Sequence, residues 1–167
     1  MIQEIGDNIP NTIENKCISE LNEKHNFLLD TENGVLIVNA TDFYHLYVEK
    51  TNKTVVYSIQ NDNCVMINSE GGQCDLLILN EEKLYFVEIK GTQDNRSNHR
   101  KTAYKQIENT FKYYSNYIEF PKDYKLNALV CFKHKRRIVQ ASASTKKKEF
   151  KVKYNINLEE GNYINFD

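Results

Sequence analysis

Two acids and one lysine near the middle of the chain are of the residue types that metal-assisted hydrolysis requires. Asp75 begins one apolar run, and Glu88 and Lys90 lie near the end of the next. The polar break over residues 80–83 between the two runs predicts a β-hairpin. Charged groups at the end of an apolar hairpin are costly to bury. We therefore take the three residues as a candidate functional site.

The spacing within the second run predicts which way its side chains point. Glu88 and Lys90 are two residues apart, so they project from the same face of a strand. Val87 and Ile89 alternate with them and are expected to point into a core. The alternative interpretation of this triplet is a solvated strand edge without a function.

The arrangement resembles the PD-(D/E)XK nuclease superfamily, whose pattern is an acid, a spacer of variable length and then acid-any-lysine. Asp75 and the triplet at residues 88–90 meet this pattern, whereas Cys74 stands where the family has a proline. The resemblance implies a restriction-endonuclease-like fold of the α/β (α+β, mixed-sheet) class. Its core would be α-β-β-β-α-β, with a central mixed sheet flanked by helices, over roughly residues 11–132.

The resemblance also assigns a role to each of these residues. Asp75 and Glu88 would each give Mg²⁺ a carboxylate oxygen, and the Ile89 carbonyl would give a third, with Mn²⁺ able to substitute. Mg²⁺ takes oxygen ligands in a near-octahedral shell, polarises a phosphoryl oxygen and helps to ionise a bound water. Lys90 would orient that water and stabilise the developing charge. The implied activity is hydrolysis of phosphodiester bonds in nucleic acid, with DNA favoured.

A helix is predicted near the N-terminus, over residues 11–25, where apolar residues recur at helical spacing. Family members often bring one more carboxylate from this first helix to the metal, and Glu14 is our candidate. An acid favoured by the helix dipole explains Glu14 equally well. Glu20 is the second choice.

The remaining elements follow from apolar patterns. Strands are predicted at residues 34–38, 44–48, 54–59, 126–132, 156–158 and 163–166. The first three are expected to form a meander that leads to the hairpin. A long helix is predicted over residues 98–118, with an apolar stripe through Ala103, Ile107, Phe111, Tyr114 and Ile118. Several branches of the family carry a glutamine and a tyrosine on this helix that face the site. Gln106 fits this role, with Tyr113 as the second candidate; an exposed glutamine without a function is the alternative interpretation of Gln106.

Charge is segregated along the chain, although the net charge is only −1. Residues 1–90 hold 6 Lys and Arg against 15 Asp and Glu, whereas residues 91–153 hold 16 against 5. A basic segment directly after the candidate site suits a phosphate backbone; solvated helix faces are the alternative explanation. The residues expected to contact nucleic acid are Arg96, Arg100, Lys101, Lys105, Gln106, Lys135, Arg136 and Arg137.

Composition limits the remaining possibilities. A chain of 167 residues with 40% hydrophobic and 27% charged residues predicts one globular domain over residues 1–167. We expect no membrane association, because no apolar run approaches the roughly 18 residues of a spanning helix. The four cysteines form no Cys-x-x-Cys pair and are predicted to be reduced, mostly buried thiols of a cytoplasmic protein.

Two other functions fit the same residues. The fold could be a catalytically silent nucleic-acid binder, or a protein-interaction module such as an immunity or inhibitor protein that uses the acidic first half. An intact triad argues against both. If the chain is a nuclease, we expect it to act as a homodimer or as the cleaving part of a larger repair, restriction or phage-defence system; the choice of system comes from the resemblance alone.

Overall fold

The computed structural model describes residues 1–67, 71–91, 95–132, 139–141 and 144–167. The helices of this part are α1 (Ile2–Asn8), α2 (Arg96–Ser115) and α3 (Ser144–Tyr154). Its strands are β1 (Ile18–Glu20), β2 (His25–Thr31), β3 (Gly34–Val38), β4 (Leu46–Lys50), β5 (Tyr57–Gln60), β6 (Leu76–Leu79), β7 (Lys83–Lys90), β8 (Lys125–Phe132), β9 (Val139–Ala141), β10 (Ile156–Gly161) and β11 (Tyr163–Phe166). They form two sheets that both contain parallel and antiparallel pairs, so the predicted α/β class with a mixed sheet is confirmed.

The predicted hairpin lies at the centre of the larger sheet, whose strand order is β1-β5-β6-β7-β8-β10-β9. Strands β6 and β7 are antiparallel, with Leu76 opposite Val87. One residue further on, the same register sets Asp75 opposite Glu88. Strand β8 lies parallel to β7, and α2 forms the crossover between them. The hairpin register therefore brings together two acids that are 13 positions apart in the sequence.

A polar side chain closes the hairpin turn. The Oδ1 atom of Asn80 accepts hydrogen bonds from the backbone N–H groups of Glu82, at 3.0 Å, and Lys83, at 2.9 Å. Asparagine is favoured in turns because its side chain can bond to the backbone a few residues on. The polar break that separates the two apolar runs is therefore the part of the sequence that fixes the turn.

Side-chain alternation along the hairpin divides the apolar residues between two cores. The core under the helices takes Leu77, Leu79, Leu84 and Phe86, and the core under the smaller sheet takes Leu76, Ile78, Val87 and Ile89. The smaller sheet has the order β11-β4-β2-β3. The described residues thus form three layers: helices, a seven-stranded sheet and a four-stranded sheet. Val87 and Ile89 point into a core, as predicted.

The predicted long helix corresponds to α2. Its stripe is buried at Ala103, Tyr104, Ile107 and Tyr114, and Phe111 is partly buried against the same core. Thr110 is also buried on this face, and its Oγ1 accepts a hydrogen bond from the Cys74 N–H at 2.9 Å. The helix is therefore attached to the residue that precedes Asp75.

The helix predicted over residues 11–25 is wrong. Helix α1 ends at Asn8, and residues 11–16 form turns. Asn11 and Lys16 have φ angles of +67° and +55°, which an α-helix does not allow. Of the apolar residues that suggested a helix, Ile13 is exposed, whereas Cys17 and Ile18 take part in strand pairing. The Gln60 N–H donates to the Cys17 carbonyl at 2.9 Å.

The predicted meander is also wrong in its order. Strand β2, which the sequence patterns missed, lies between β3 and β4 in the smaller sheet, whereas β5 belongs to the larger one. Within the described ranges, no helix is long and apolar enough to cross a membrane.

The prediction of four reduced thiols is wrong for two of the cysteines. Cys17 and Cys64, 47 positions apart, form a disulfide, whereas Cys74 and Cys131 are free and buried. Local spacing gave no sign of this pair, because the pairing of β1 with β5 brings the two residues together.

Replacing Thr110 with valine tests the attachment of α2 to the hairpin. We expect Thr110→Val to lower the free energy of unfolding by about 1–3 kcal/mol, because the buried Cys74 N–H loses its acceptor. Chemical denaturation measures this loss. Thr102→Val is the matched control, since Thr102 is an exposed threonine of the same helix. Equal losses in the two variants would contradict the proposed attachment.

Candidate active site

Glu88 is a buried carboxylate with one oxygen unpaired. Its side chain is 1% exposed, and Oε1 lies 2.5 Å from Nζ of Lys90. Its Oε2 atom is buried, and it has no hydrogen-bond partner among the residues that the structure describes. A buried carboxylate oxygen without a partner costs free energy, and an ion or a water is the usual explanation. Glu88 therefore indicates a ligand position at the end of β7.

Asp75 lies where the ladder between β6 and β7 opens. Its Oδ2 atom accepts a hydrogen bond from the Ile89 N–H at 2.5 Å. If the hairpin register continued, Ile89 would pair with Cys74. The Cys74 N–H instead donates to Thr110, and the Ile89 N–H donates to the Asp75 side chain. The N–H and C=O of a strand residue face the same neighbouring strand, so the Ile89 carbonyl lies on the Asp75 side. The Ile89 carbonyl therefore lies in the same region as the carboxylates of Asp75 and Glu88.

Lys90 is held from two sides. Besides the contact with Glu88, its Nζ donates a hydrogen bond to Oε1 of Gln106 at 3.0 Å. The Nε2 atom of Gln106 in turn donates to the Gln73 carbonyl at 2.9 Å. The side chain of Lys90 is 17% exposed. Gln106, which was expected to face the site from α2, fixes the ammonium group of Lys90.

Two glycines let the chain lie against α2 before it enters β6. Gly71 and Gly72 have φ angles of +87° and +78°. A Cβ atom added to Gly72 would lie 3.1 Å from Cγ of Gln106, and one added to Gly71 would lie 2.4 Å from Nδ2 of Asn109. Glycine alone combines the positive φ with this close approach. The segment can therefore hold the Gln73 carbonyl against Gln106.

Two further acids near the site were missed in the sequence. Asp62 follows β5: its N–H donates to the Asp75 carbonyl at 3.3 Å, and its Oδ1 accepts a hydrogen bond from Nε2 of Gln73. Asp30 comes from β2 of the smaller sheet, and its charge acts on both Asp75 and Glu88. The pairing of β5 with β6 could have indicated Asp62, but no local pattern points to Asp30.

The positive charge of Lys90 does not compensate the two carboxylates of Asp75 and Glu88. The pKa of Asp75 is raised to about 7, and burial is the largest cause. The charges of Asp30 and Asp62 also raise it, whereas the hydrogen bond from the Ile89 N–H and the charge of Lys90 lower it. Burial, followed by the charge of Asp75, also raises the pKa of Glu88 well above its usual range, against the effect of Lys90. A cation at this position would reverse these effects, because it favours the ionised carboxylates.

The donor set fits a hard divalent cation. Mg²⁺ is typically held by one or two protein carboxylates and keeps several waters. Asp75, Glu88 and the Ile89 carbonyl would supply such a set. Among the described residues, no three His, Cys, Asp or Glu side chains form a group that could hold a metal. The protein part of the coordination shell would thus be two carboxylates and one carbonyl.

The fold does not support Glu14 as a third carboxylate. The helix that was to carry it is absent, and Glu14 is exposed in the turns over residues 11–16. Glu20, the second choice, is exposed on β1.

The predicted nucleic-acid contacts differ in their surroundings. Lys101 and Lys105 are exposed on α2. The guanidinium of Arg96 stacks 5.1 Å from the Phe132 ring centroid. Arg100 instead forms a bidentate ion pair with Glu160, with hydrogen bonds of 2.6 and 2.9 Å. This pair gives Arg100 a structural role. The predictions for Lys135, Arg136 and Arg137 lie outside the described residues.

Comparisons with known proteins give no independent assignment. No protein-family model, curated protein or solved structure was found to match the chain. The functional conclusion therefore depends on the residues and the geometry of the site.

The raised pKa of Asp75 gives a prediction about stability. Between pH 4 and 7 the folded protein retains a proton that the unfolded chain loses, so the free energy of unfolding falls as the pH rises. An asparagine side chain at this position cannot ionise. Without divalent metal, Asp75→Asn should therefore be increasingly more stable than the natural chain as the pH rises to 8. Asp75 is partly exposed, so we expect a difference on the order of 1–3 kcal/mol.

Chemical denaturation at pH 5 and pH 8 with EDTA measures this difference. Asp123→Asn is the control, because Asp123 is exposed. An Asp75→Asn effect that does not change with pH would show that Asp75 titrates normally in the folded protein.

Proposed function

We propose that this chain is a metal-dependent nuclease that hydrolyses phosphodiester bonds in nucleic acid, with DNA as the favoured substrate. The observation that carries the proposal is the buried Oε2 of Glu88, which lies beside Asp75 and has no hydrogen-bond partner in the described part of the chain. Apolar packing gives no reason to bury this oxygen, whereas a cation bound between the two carboxylates does. The site would be assembled from Asp75, Glu88, Lys90 and the Ile89 carbonyl.

The order of the elements supports the finer fold proposal. Helix α1 precedes the antiparallel strands β5, β6 and β7, and α2 and the parallel strand β8 follow them. This order matches the implied α-β-β-β-α-β core when α1 takes the place of the helix that was wrongly predicted over residues 11–25, although α1 lies before the residues 11–132 to which the resemblance was assigned. Strands β1 to β4 lie between the first helix and that meander. The proposal therefore includes a restriction-endonuclease-like core to which a second sheet has been added.

The proposed division of labour follows from the contacts. When bound, Mg²⁺ or Mn²⁺ would polarise a phosphoryl oxygen and lower the pKa of a coordinated water. Asp75 and Glu88 would bind the cation, and the burial of Glu88 would exclude competing water from its protein side. Lys90 carries a positive charge that Gln106 holds in place, and such a preorganised charge stabilises negative charge as it develops on a phosphoryl group.

The charge of the helix layer supports a nucleic-acid substrate. Helices α2 and α3 pack on the same face of the larger sheet and carry ten Lys and Arg against two Glu. Glu88, Lys90 and Gln106 belong to that side of the sheet. Exposed bases such as Lys101 and Lys105 would position phosphates without reading the sequence. Lys135, Arg136 and Arg137 stay predicted phosphate contacts in this proposal.

Some expectations rest on the resemblance alone. These are action as a homodimer or within a larger repair, restriction or phage-defence complex. The proposed cytoplasmic location came instead from the cysteine pattern.

The decisive activity test compares the natural chain with Lys90→Ala. Supercoiled plasmid, linear duplex, single-stranded DNA and RNA would each be incubated with Mg²⁺, Mn²⁺ or EDTA. We expect cleavage that requires metal and falls by at least about 100-fold in Lys90→Ala, because a preorganised charge is removed.

Lys112→Ala is the control for this test, since Lys112 is exposed on α2 and pairs with Glu108. It should cleave like the natural chain. If the natural chain cleaves none of these substrates, the proposal that it is a nuclease is contradicted, and a nucleic-acid-binding role is favoured.

Metal binding can be tested without activity. A ligand that binds only the folded protein stabilises it, by about 1.4 kcal/mol at ten times its dissociation constant. We expect Mg²⁺ to raise the melting temperature of the natural chain and to have little effect on Glu88→Gln. Glu119→Gln, a change of an exposed acid, is the control. Equal Mg²⁺ effects in the natural chain and Glu88→Gln would place the cation elsewhere.

A further inference from the structure

The Cys17–Cys64 disulfide fastens a turn that contributes to the candidate site. The turn over residues 61–66 is closed by a hydrogen bond from the Met66 N–H to the Asn61 carbonyl at 3.0 Å. Cys64 lies within this turn and is bonded to Cys17. Nδ2 of Asn15 also donates a hydrogen bond of 3.0 Å to the Cys64 carbonyl. The disulfide is therefore the covalent part of the attachment.

The other side of the same turn contacts the start of β6. The Asn61 N–H donates to the Asp75 carbonyl at 2.9 Å, and Nδ2 of Asn61 donates to the Cys74 carbonyl at 2.9 Å. Asn61 is fully buried, and its Oδ1 accepts a hydrogen bond from the Tyr114 hydroxyl at 3.3 Å. The position of Asp75 thus depends on where this turn lies.

A chain of hydrogen bonds leads from the turn to the lysine. Asp62 accepts a hydrogen bond from the Gln73 side chain, and the Gln73 carbonyl accepts one from Gln106. Gln106 then accepts one from Lys90. Coupling between sites requires an element with two discrete states that both sites sense. A disulfide that is either closed or open is such an element.

The disulfide can be reached from solvent. Cys64 is partly exposed, whereas Cys17 is 3% exposed. Both cysteines line a groove of about 410 Å³ between the edges of the two sheets, together with Asn15, Lys16, Leu36 and Ile37. A small thiol can therefore approach the sulfur of Cys64, and Cys17 is the buried leaving group.

We propose that the Cys17–Cys64 disulfide is a redox-sensitive clamp on the carboxylate–lysine site. A thiolate of a dithiol reductant attacks Sγ of Cys64, the S–S bond breaks, and Cys17 leaves as a thiolate that takes up a proton. The second thiol of the reductant then displaces Cys64, which also ends as a thiol. The protein gains two electrons and two protons, and the reductant becomes a disulfide.

Reduction removes the covalent part of the attachment between the turn and residues 15–17 and leaves only hydrogen bonds, so Asp62 and Asn61 hold Gln73 and Asp75 less firmly. The site then binds divalent metal more weakly. This consequence rests on the proposed function, whereas the loosening of the turn does not. Disulfides persist in oxidising surroundings and are opened by thiol pools, so the clamp makes the site respond to its redox environment.

The test compares the intact protein purified in air with the same protein after treatment with dithiothreitol. Alkylation and mass spectrometry count the free thiols in each form. Amide hydrogen exchange reports on residues 61–67 and 73–75, and calorimetric titration gives the Mg²⁺ dissociation constant. We expect two free thiols to become four. Exchange in both segments should become several-fold faster on reduction, and Mg²⁺ binding several-fold weaker.

Variants separate this disulfide from other effects of the reductant. Cys131→Ser, which leaves the disulfide intact, should respond to dithiothreitol like the natural chain. The double variant Cys17→Ser and Cys64→Ser should not respond, and it should resemble the reduced form. If that variant does not fold, the comparison of the two forms of the natural chain still decides.

The outcomes distinguish this inference from the proposed function. Four free thiols in the air-purified protein, or equal exchange in the two forms, would overturn the clamp. Equal Mg²⁺ affinity in both forms would overturn its control of the site. If neither form binds Mg²⁺ but exchange changes on reduction, the proposed function fails while the clamp on the turn stands.

Discussion

The carboxylate of Glu88 is the constraint on which the arrangement around it depends. It is buried beside Asp75, and within the ranges that the structure describes one of its oxygens has no partner. A charged group in this position is stable only when its surroundings are fixed. The β6–β7 register sets the two acids opposite each other. The Cys74 N–H is bonded to Thr110 and the Cys74 carbonyl to Asn61, so Cys74 does not continue the strand pairing with β7. Helix α2 then brings Gln106 to Lys90. Together these contacts place two carboxylates beside a single lysine, and a bound cation would supply the positive charge that the pair lacks.

The two carboxylates that would bind a cation lower the stability of the fold when no cation is bound. The raised pKa values of Asp75 and Glu88 show that the fold disfavours their ionised forms. Two apolar cores, one on each face of the larger sheet, offset that cost. The residues that hold the site are themselves satisfied, since Thr110 and Asn61 are buried and hydrogen-bonded. The electrostatic cost is thus confined to the carboxylates, where a bound ion relieves it.

The sequence predicted the parts of the fold that local patterns determine. The hairpin and β8 are clear apolar runs, and α2 has an apolar stripe at helical spacing. The acids could be placed on neighbouring strands because the register follows from a short turn. The parts that were missed depend on contacts distant in the sequence. Strand β2 brings Asp30 from another sheet, and the disulfide joins residues 47 positions apart. The helical spacing after Asn11 was real, but pairing with β5 and the left-handed turns at Asn11 and Lys16 outweighed it.

The central claim is that a divalent cation binds between Asp75 and Glu88, and its most direct test is a crystal structure with Mn²⁺ and anomalous scattering data. The account predicts one anomalous peak at about 2.0–2.3 Å from Oε2 of Glu88, with a carboxylate oxygen of Asp75 and the Ile89 carbonyl also in its shell. An ordered site without a peak at saturating Mn²⁺, or a peak that contacts neither acid, would contradict the account.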